Sequence, residues 1–250
     1  MTVAIITGGS RGLGKSMALN VAAKGSDVIL TYHSQKGDAE DVVASIEKSG
    51  CKAVALQLDT SDTKSFPAFV ETIKDTLKQT WNQDNFDFLV NNAGTGMHVS
   101  ITETTEEQFD QLVNIHFKGV FFLTQALLPL MVDGGRIINI SSGLARFSSP
   151  GSSVYGALKG AIDVLTRYMA LELGQRHIAV NAVAPGAIAT DFSGGMVRDN
   201  AQVNQAIASQ TALGRVGQAE DIGGVIASLL SEDMRWINGQ RIEVSGGMLL

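Results

Sequence analysis

Short apolar runs that alternate with longer helix-like stretches limit the fold of this 250-residue chain more than any other feature. Most of the runs are continuously apolar, which indicates strands covered on both faces. Strand–helix–strand repeats in turn predict right-handed crossovers and a parallel sheet. The predicted strands are Val3–Ile6, Val28–Tyr32, Ala53–Leu58, Phe86–Val90, Arg136–Ile140, Ile178–Val183 and Arg241–Val244, and the predicted helices lie near Leu13–Lys24, Gly37–Ser49, Thr63–Gln79, Thr105–Met131, Ser153–Gln175 and Ala219–Leu230.

Two architectures satisfy this alternation, an open doubly wound sheet and an eight-stranded barrel. Seven strands are one too few for the barrel, which also tends to place its phosphate-binding loops after strands seven and eight. A dinucleotide-binding sheet places its glycine-rich turn after strand one, where residues 7–14 of this chain lie. The sequence therefore predicts a Rossmann-like, doubly wound parallel α/β sheet with helices on both faces.

One domain is expected over residues 1–250, because no linker, repeat or charge run divides the chain. Residues 80–85 are predicted to form a polar loop before the fourth strand. Residues 190–217 form the other irregular stretch, and we expect them to act as a mobile lid over a substrate.

Charge and hydropathy narrow the partners and the compartment. A net charge of −6 repels the phosphates of nucleic acids and anionic lipids, so neither is an expected partner. The longest apolar run, 120–131, contains Gln125 and Pro129 and is too short to cross a bilayer. The single cysteine, Cys51, cannot form an internal disulfide, and the first residues do not read as a secretory leader. These observations predict a cytoplasmic protein.

The glycine-rich turn, Thr7 to Gly14 (TGGSRGLG), has the chemistry of a phosphate-binding loop. Glycines at 8, 12 and 14 remove Cβ atoms where the chain turns and where a pyrophosphate would approach the backbone. The helix that follows offers unpaired N–H groups and a positive dipole end. Such a turn also occurs as an ordinary strand-to-helix connection, and its position after strand one is what favours a dinucleotide.

Further motifs follow the later strands in a characteristic order. With the Thr-Gly-x-x-x-Gly-x-Gly turn they make the chain resemble the short-chain dehydrogenase/reductase family from about residue 3 to 247, including its 3-oxoacyl-[acyl-carrier-protein] reductase-like members. The resemblance implies hydride transfer between a nicotinamide and a carbonyl or secondary alcohol. The motifs are Asn91-Asn92-Ala93-Gly94, Asn114 in the long central helix, Ser142, Tyr155-x-x-x-Lys159 and Pro185-Gly186.

The choice of nicotinamide cofactor depends on the end of strand two. Folds that select NAD place an acid there to bind the ribose 2′-hydroxyl, but residues 30–34 (LTYHS) contain none, and Asp27 lies at the opposite end. Arg11 can instead pair with a 2′-phosphate, helped by Ser34 and His33. The sequence thus predicts NADP(H), and the alternative for Arg11 is a solvated surface side chain.

The turn, the end of strand two and the family resemblance together assign the cofactor contacts. The resemblance implies Asp59 near the adenine, Asn91, Ala93 and Gly94 beside the adenosine ribose, and Ile188 and Thr190 near the nicotinamide carboxamide. The full set is Thr7, Gly8, Ser10, Arg11, Gly12, Leu13, Gly14, His33, Ser34, Asp59, Asn91, Ala93, Gly94, Tyr155, Lys159, Pro185, Gly186, Ile188 and Thr190.

Four residues form the predicted catalytic set. A carbonyl oxygen that gains charge needs a proton, and Tyr155 can supply it if its pKa falls from about 10. Lys159 is spaced to lie on the same helix face and to stabilise the phenolate. Ser142 would orient the substrate oxygen. The resemblance adds Asn114, which would hold a water linking Lys159 to solvent. Taken alone, Tyr-x-x-x-Lys is also a common spacing on solvated helix faces.

The remaining polar residues indicate no second chemistry. Four scattered histidines and one cysteine predict no metal site, and His116 is interpreted as a packing or subunit-contact residue. Arg146 and Arg198 are candidate anchors for an acidic substrate, but the mixed pocket lining does not select a substrate class. The apolar surface of residues 105–131 favours a homotetramer or homodimer.

Several functions are compatible with these motifs. The leading one is NADP(H)-dependent reduction of a small-molecule carbonyl, and an NAD-dependent alcohol, polyol or steroid dehydrogenase of the same family is the alternative. A sugar-nucleotide epimerase or dehydratase is disfavoured, because only three residues follow Gly247 and such enzymes carry a C-terminal substrate domain. A non-catalytic cofactor-binding module is disfavoured because Tyr155 and Lys159 are both present.

Overall fold

Seven parallel strands form the centre of the molecule, which a computed structural model describes over residues 1–250. Their order is β3-β2-β1-β4-β5-β6-β7. The order reverses between β1 and β4, where an open α/β sheet leaves a crevice for a ligand. The predicted fold class is thereby confirmed. The strands are β1 (Val3–Ile6), β2 (Asp27–Tyr32), β3 (Ala53–Gln57), β4 (Phe86–Asn91), β5 (Met131–Ile140), β6 (Ala179–Pro185) and β7 (Arg241–Val244).

Nine α-helices cover the two faces of the sheet, and none is long and apolar enough to cross a membrane. All predicted strands and helical regions are present, with most ends shifted by one or two residues. The helices are α1 (Gly12–Ala23), α2 (Lys36–Lys48), α3 (Phe66–Trp81), α4 (Glu106–Val113), α5 (Gly119–Leu127), α6 (Ser153–Glu172), α7 (Met196–Asp199), α8 (Ala201–Ser209) and α9 (Ala219–Leu229).

The central helix differs from the prediction of one helix over Thr105–Met131. A π-helical turn, Asn114–Lys118, separates α4 from α5, and Met131 already belongs to β5. Gly119 closes this turn against the loop after β3, where a Cβ would collide with the carbonyl oxygen of Thr60. A regular period of apolar residues does not reveal an inserted wider turn, and such turns occur often at functional sites.

The predicted lid is also more regular than expected. After a short 3-10 turn, Phe192–Gly195, the segment forms the helices α7 and α8. Ser193, Gly194 and Gly195 adopt left-handed backbone conformations, which explains why the chain changes direction there. Neither α7 nor α8 contains a fully buried residue, so this segment lies on the surface of the molecule.

Two hydrophobic cores lie on opposite faces of the sheet. One packs α1, α2 and α9 against side chains such as Val28 and Leu30. The other packs α3 and α5 against the opposite side chains, such as Ile29 and Leu89. Consecutive residues of β2 thus serve different cores, which is why the predicted strands are apolar throughout.

A chain of buried polar side chains crosses the middle of the sheet, and we call it the amide ladder. Asn91 Nδ2 donates to Thr124 Oγ1 of α5 at 3.0 Å and to Asn139 Oδ1 at 2.9 Å. Asn139 Nδ2 donates to Thr166 Oγ1 of α6 at 3.0 Å. All four side chains are buried, so these hydrogen bonds fix the helices to β4 and β5 in a water-free environment.

Candidate active site

The glycine-rich turn connects β1 to α1 at the carboxyl end of the sheet. Gly8 and Gly12 have φ angles of 66° and 52°, which favour glycine strongly. A Cβ on Gly14 would overlap the carbonyl oxygen of Gly8, so this glycine lets α1 pack against the turn. Each of the three predicted glycines therefore has a steric reason visible in the structure.

Asn92, which the sequence analysis did not single out, holds this turn in place. Its Nδ2 donates to the carbonyls of Thr7 at 2.8 Å and Gly8 at 3.2 Å. In return, the Thr7 hydroxyl accepts the N–H groups of Asn92 and Ala93 at 2.9 and 3.0 Å. The Thr7 and Asn92 side chains thus join the ends of β1 and β4. Asparagine directly after a buried strand was the available signal.

The N-terminus of α1 has the character of an anion-binding site. No side chain caps it, and its first turn contains no acidic residue, so its N–H groups remain free for an external acceptor. These groups and the glycines fit the pyrophosphate of a dinucleotide. Ser10 is buried within the turn, and half-buried Leu13 packs against the first core. Arg11 is exposed and pairs with Asp191 of the lid segment at 3.0 Å.

The end of β2 presents polar groups to solvent. His33 and Ser34 are exposed, and His33 Nε2 lies 3.7 Å from a carboxylate oxygen of Asp59, which follows β3. Burial acts to raise the pKa of Asp59, but hydrogen bonds from Ser61 outweigh it and hold the pKa below its usual value. The structure therefore brings His33 and Asp59 together beyond the ends of β2 and β3, with Ser34 exposed next to His33 in the chain.

The carboxyl end of β6 forms the opposite wall of the crevice. Gly186 follows Pro185 and touches the backbone of Ser245, which leaves no room for a Cβ. Ile188 pairs with Gly217 in an isolated parallel bridge. Thr190 is buried, and its Cβ lies within 3.6 Å of the position that a Cβ on Gly12 would take. The wall thus reaches the glycine-rich turn.

Ser142, Tyr155 and Lys159 meet at the end of β5. Ser142 follows the strand, and its hydroxyl accepts the N–H of Leu144 at 3.2 Å. Lys159 is buried, and its Nζ donates to the carbonyl of Ile140 at 2.7 Å. The same ammonium lies 5.4 Å from the centre of the Tyr155 ring. Lys159 of the predicted i, i+4 pair on α6 is therefore buried, and Tyr155 beside it is half-buried.

The ionisation of this pair differs from the expectation of a lowered tyrosine pKa. Burial raises the pKa of Tyr155 to about 12, and the nearby Ser142 hydroxyl only partly opposes that rise. Burial also lowers the pKa of Lys159 to about 8, against the attraction of Asp163. Burial disfavours the charged form of each group, so desolvation outweighs their mutual attraction in the protein alone. The phenol consequently keeps its proton at neutral pH.

His116 lies against Tyr155, although the sequence analysis treated it as a packing residue. The two rings meet edge to face with their centres 5.1 Å apart. The imidazole is buried, and its Nε2 is 2.7 Å from the carbonyl oxygen of Thr95. Burial, together with the charge of Lys159, lowers the pKa of His116 to about 3. Asn114, at the start of the π-helical turn, makes no side-chain hydrogen bond to any member of this group.

Comparison with known proteins agrees with this geometry. A family model described as enoyl-(acyl carrier protein) reductase matches residues 8–249. A solved short-chain dehydrogenase/reductase from Serratia marcescens superposes with a TM-score of 0.92 and 32% identity, over 100% of this chain and 98% of that one. This chain belongs to the short-chain dehydrogenase/reductase family.

Other similar proteins are named as a tetrahydroxynaphthalene reductase and a ketoreductase. The tetrahydroxynaphthalene reductase PfmaG of Pestalotiopsis fici is 36% identical over 256 residues, with 98% of this chain and 90% of the relative covered. The angucycline C-6 ketoreductase LanV, solved with bound NADP, has a TM-score of 0.94 and 35% identity, with 99% and 95% of the two chains covered. Our short-chain dehydrogenase/reductase is therefore an NAD(P)-dependent oxidoreductase of CH–OH and C=O groups.

Three predicted cofactor contacts of this short-chain dehydrogenase/reductase make contacts within the protein. The Asn91 side chain is hydrogen-bonded within the amide ladder. A Cβ on Gly94 would lie 2.7 Å from Cε1 of His116, so an imidazole and not only a cofactor requires glycine there. The N–H of Ala93 is bound to Thr7.

The two arginines proposed as substrate anchors are bound within the protein. Arg146 donates to the carbonyls of Met248 at 3.0 Å and Leu249 at 3.2 Å. Arg198 is bonded to its neighbour Asp199 at 2.7 Å through two nitrogens. Neither guanidinium is free to receive a substrate carboxylate without breaking these bonds.

Arg241 of β7, which sequence reasoning did not identify, supports the Ser142 loop. Its Nη2 donates to the carbonyl of Ser142 at 2.9 Å, and its Nε to Asp163 Oδ2 of α6 at 2.9 Å. A further bond joins it to Glu243. One guanidinium therefore links the loop that carries Ser142 to the helix that carries Tyr155. A single arginine in an edge strand gave no signal of this role in the sequence.

Proposed function

We propose that this protein is an NADP(H)-dependent carbonyl reductase. The observation that carries the proposal is the convergence of Ser142, Tyr155 and Lys159 at the carboxyl end of β5, beside a glycine-rich turn and an uncapped helix N-terminus. The nicotinamide supplies the hydride to the carbonyl carbon. The protein supplies the proton and holds the oxygen, which is general acid catalysis by a positioned side chain.

Tyr155 is the proposed proton donor. Its phenol is protonated at neutral pH, since burial raises its pKa to about 12, and this is the form that reduction of a ketone requires. Ser142 donates a hydrogen bond to the same substrate oxygen and holds it beside the phenol. Lys159 offsets the phenolate charge that forms when the proton leaves. The carbonyl of Ile140 keeps the ammonium in place at 2.7 Å.

NADP(H) is the proposed cofactor, and Arg11 is the proposed ligand of its 2′-phosphate. The Arg11 side chain is 61% exposed and lies at the N-terminus of α1, and Ser34 and His33 are exposed at the end of β2. These groups are donors suited to a phosphate. The relative LanV binds NADP, which supports the proposal. An NAD-dependent dehydrogenase is the alternative.

A ketone on or beside an aromatic ring is the proposed substrate class. Phe192 lies with its ring centre 6.1 Å from that of Tyr155. Phe147 folds over Gly143, next to Ser142, where a Cβ would lie 2.7 Å from the ring. Aromatic rings beside Tyr155 and close to Ser142 favour a flat aromatic partner. The names of PfmaG and LanV, which refer to naphthalene and angucycline substrates, support the same class.

The decisive experiment follows the absorbance of the reduced nicotinamide with a panel of ketones. We expect turnover of aromatic ring ketones with NADPH, and a loss of about 10²- to 10⁴-fold in kcat for Tyr155→Phe. Protection against thermal unfolding by NADP⁺ but not NAD⁺ tests the cofactor without any substrate. Wild-type turnover by Tyr155→Phe would contradict the assigned proton donor, and equal protection by both nucleotides would contradict the cofactor preference.

Association into a homotetramer or homodimer, in the cytoplasm, completes the proposal. Large apolar side chains are exposed along α4, α5 and α6, including Phe109 at 47%, Tyr168 at 61% and Leu171 at 79%. Exposed apolar surface on adjacent helices is typical of a subunit contact. Light scattering coupled to gel filtration tests it, and a monomer at micromolar concentration would contradict it.

A further inference from the structure

The environment of His116 is unusual for a packing residue. Its Nε2 is bound to the carbonyl of Thr95 at 2.7 Å, while Nδ1 is buried and has no hydrogen-bond partner. The Thr95 N–H also lies 3.4 Å from Nε2, but the shorter contact is to a carbonyl oxygen, which only accepts, so we assign the proton to Nε2 and leave Nδ1 as an acceptor. A phenylalanine would fill the same space without the Nε2 bond. The imidazole thus adds a hydrogen bond to the loop after β4 that an apolar ring cannot make.

The Nε2 bond fixes the plane of the ring that Tyr155 touches. Two contacts define that plane, the Thr95 carbonyl on one edge and the Gly94 backbone beside Cε1. The phenol of Tyr155 packs edge-on against it, 5.1 Å between centres. Three elements thus meet at one imidazole: the loop after β4, the π-helical turn and α6. The π-helical turn places His116 in this position.

We propose that His116 is a positioning residue for Tyr155: a neutral imidazole, locked by its Nε2–H bond to Thr95, that holds the phenol at the distance from Lys159 that proton transfer requires. The inference rests on the proposed function, because it assigns Tyr155 the role of proton donor. His116 does not itself exchange a proton with the substrate.

The charges around His116 agree with a neutral ring. The titratable groups that face it are Tyr155 and Lys159 of α6, and the loop after β4 faces it with Gly94 and Thr95, which do not titrate. A cation at Lys159 disfavours a second cation nearby, and burial acts in the same direction. The imidazole therefore remains neutral over the whole range in which a reductase works.

Three variants separate the lock from simple packing. His116→Phe keeps a ring but loses the Nε2 bond, and we expect kcat for ketone reduction to fall about tenfold or more while KM for NADPH changes less than about twofold. His116→Gln places an amide near the position of Nε2 and should recover most of the loss. Asn114→Ala should cost less than His116→Phe. NADPH binding and the thermal midpoint show that each variant is folded.

The pH profile gives a readout that packing alone would not move. Lys159 offsets the forming phenolate only while it is charged, so the rate of ketone reduction should fall as rising pH removes its proton near its pKa of about 8. If the phenol drifts from Lys159 in His116→Phe, the rate should depend less on that proton, and the fall should become shallower. An unchanged pH profile or equal kcat for the Phe and Gln variants would overturn the proposal.

A measurement without cofactor or substrate keeps the inference independent of the activity assay. Histidine-selective NMR of the intact protein should show one imidazole of the four as an Nε2–H tautomer that does not titrate down to about pH 5. Titration of all four near the ordinary value would overturn the lock even in an active enzyme. If the protein reduces no ketone but still shows this NMR signal, the proposed function is contradicted and the Nε2–H bond of His116 is not.

Discussion

Arg11 is expected to decide between NADP(H) and NAD(H), and the structure allows the size of its effect to be worked out. Arg11 and Asp191 pair at 3.0 Å, with side chains 61% and 34% exposed. An exposed pair of this kind contributes about 0.2–1 kcal/mol. A charge-assisted bond from arginine to a phosphate contributes about 1.5–3 kcal/mol. Exchange of Asp191 for a 2′-phosphate therefore gains about 0.5–2.8 kcal/mol, or about 2- to 100-fold in affinity.

Two substitutions should change the affinity for NADPH in opposite directions. Arg11→Ala should raise the Kd for NADPH by that factor and leave the Kd for NADH within about twofold. Asp191→Asn should lower the Kd for NADPH by up to about fivefold. Arg11 then has no ion pair to give up when it binds the 2′-phosphate, and the negative charge of Asp191 is removed from its vicinity. Nicotinamide fluorescence titrations at low and high salt measure both. High salt should shrink both effects, since the charges are exposed.

A matched control separates this local effect from overall charge. Arg198→Ala removes one positive charge from the same lid segment, where Arg198 is bonded to Asp199, and should leave the ratio of the two dissociation constants unchanged. The reasoning is refuted if Arg11→Ala weakens NADH and NADPH equally. It is also refuted if Asp191→Asn weakens NADPH binding, which would mean that the carboxylate orients Arg11 for the cofactor.

Three more predictions test other parts of the site. Gly94→Ala places a Cβ 2.7 Å from a carbon of the buried His116 ring and should lower kcat about tenfold. The control Gly37→Ala, on α2 with open space around it, should leave kcat unchanged. An effect on the KM for the cofactor alone would show that the cofactor and not His116 requires this glycine. Arg241→Met leaves the Asp163 carboxylate, which is 11% exposed, without its partner and should lower the free energy of unfolding in urea by about 2–4 kcal/mol. A loss below about 1 kcal/mol would show that these ion pairs do not stabilise the fold. Alcohol oxidation needs the Tyr155 phenolate, so its rate rises with pH. Lys159→Met removes the ammonium that stabilises the phenolate and should move this rise to higher pH. An unchanged pH profile of kcat/KM would count against an interaction between Lys159 and Tyr155.

The strands and the ends of the strands could be predicted because their physical signals are local. A continuous apolar run is enough to place a strand between two helical layers, and a polar residue directly after it falls at the carboxyl edge. The positions of the seven strands were found in this way, whereas Ser142 and Pro185 were singled out as parts of motifs that resemble those of the family. The family resemblance then supplied roles that spacing alone could not.

The central helix shows where local signals fail. The apolar period continues through residues 114–118, yet the chain widens there into a π-helical turn because Gly119 packs against the loop after β3. No window along the sequence contains that contact. The polar role of His116 is hidden for the same reason, since its partners Thr95 and Tyr155 lie 21 and 39 positions away.

Gly94 illustrates how a correct residue can be assigned an incomplete reason. The sequence analysis attributed the missing side chain to a cofactor approaching the backbone. In the structure the same space is limited by the His116 ring. A glycine in the sequence indicates only that another group lies close to the backbone at that position. The identity of that neighbour is a property of the folded chain.

The amide ladder has a consequence for how this protein can change over evolution. It binds α5 and α6 to the sheet through side chains that are almost wholly buried, so a substitution there would damage the frame and the proton donor together. The helices α7 and α8 have no fully buried residue and take no part in the ladder. On the expectation that residues 190–217 form a lid over the substrate, substitutions in residues 196–209 would change the substrate range and leave the chemistry constant. A scaffold divided in this way suits diversification, because residues of α7 and α8 can change to fit new substrates while the residues of the amide ladder stay the same.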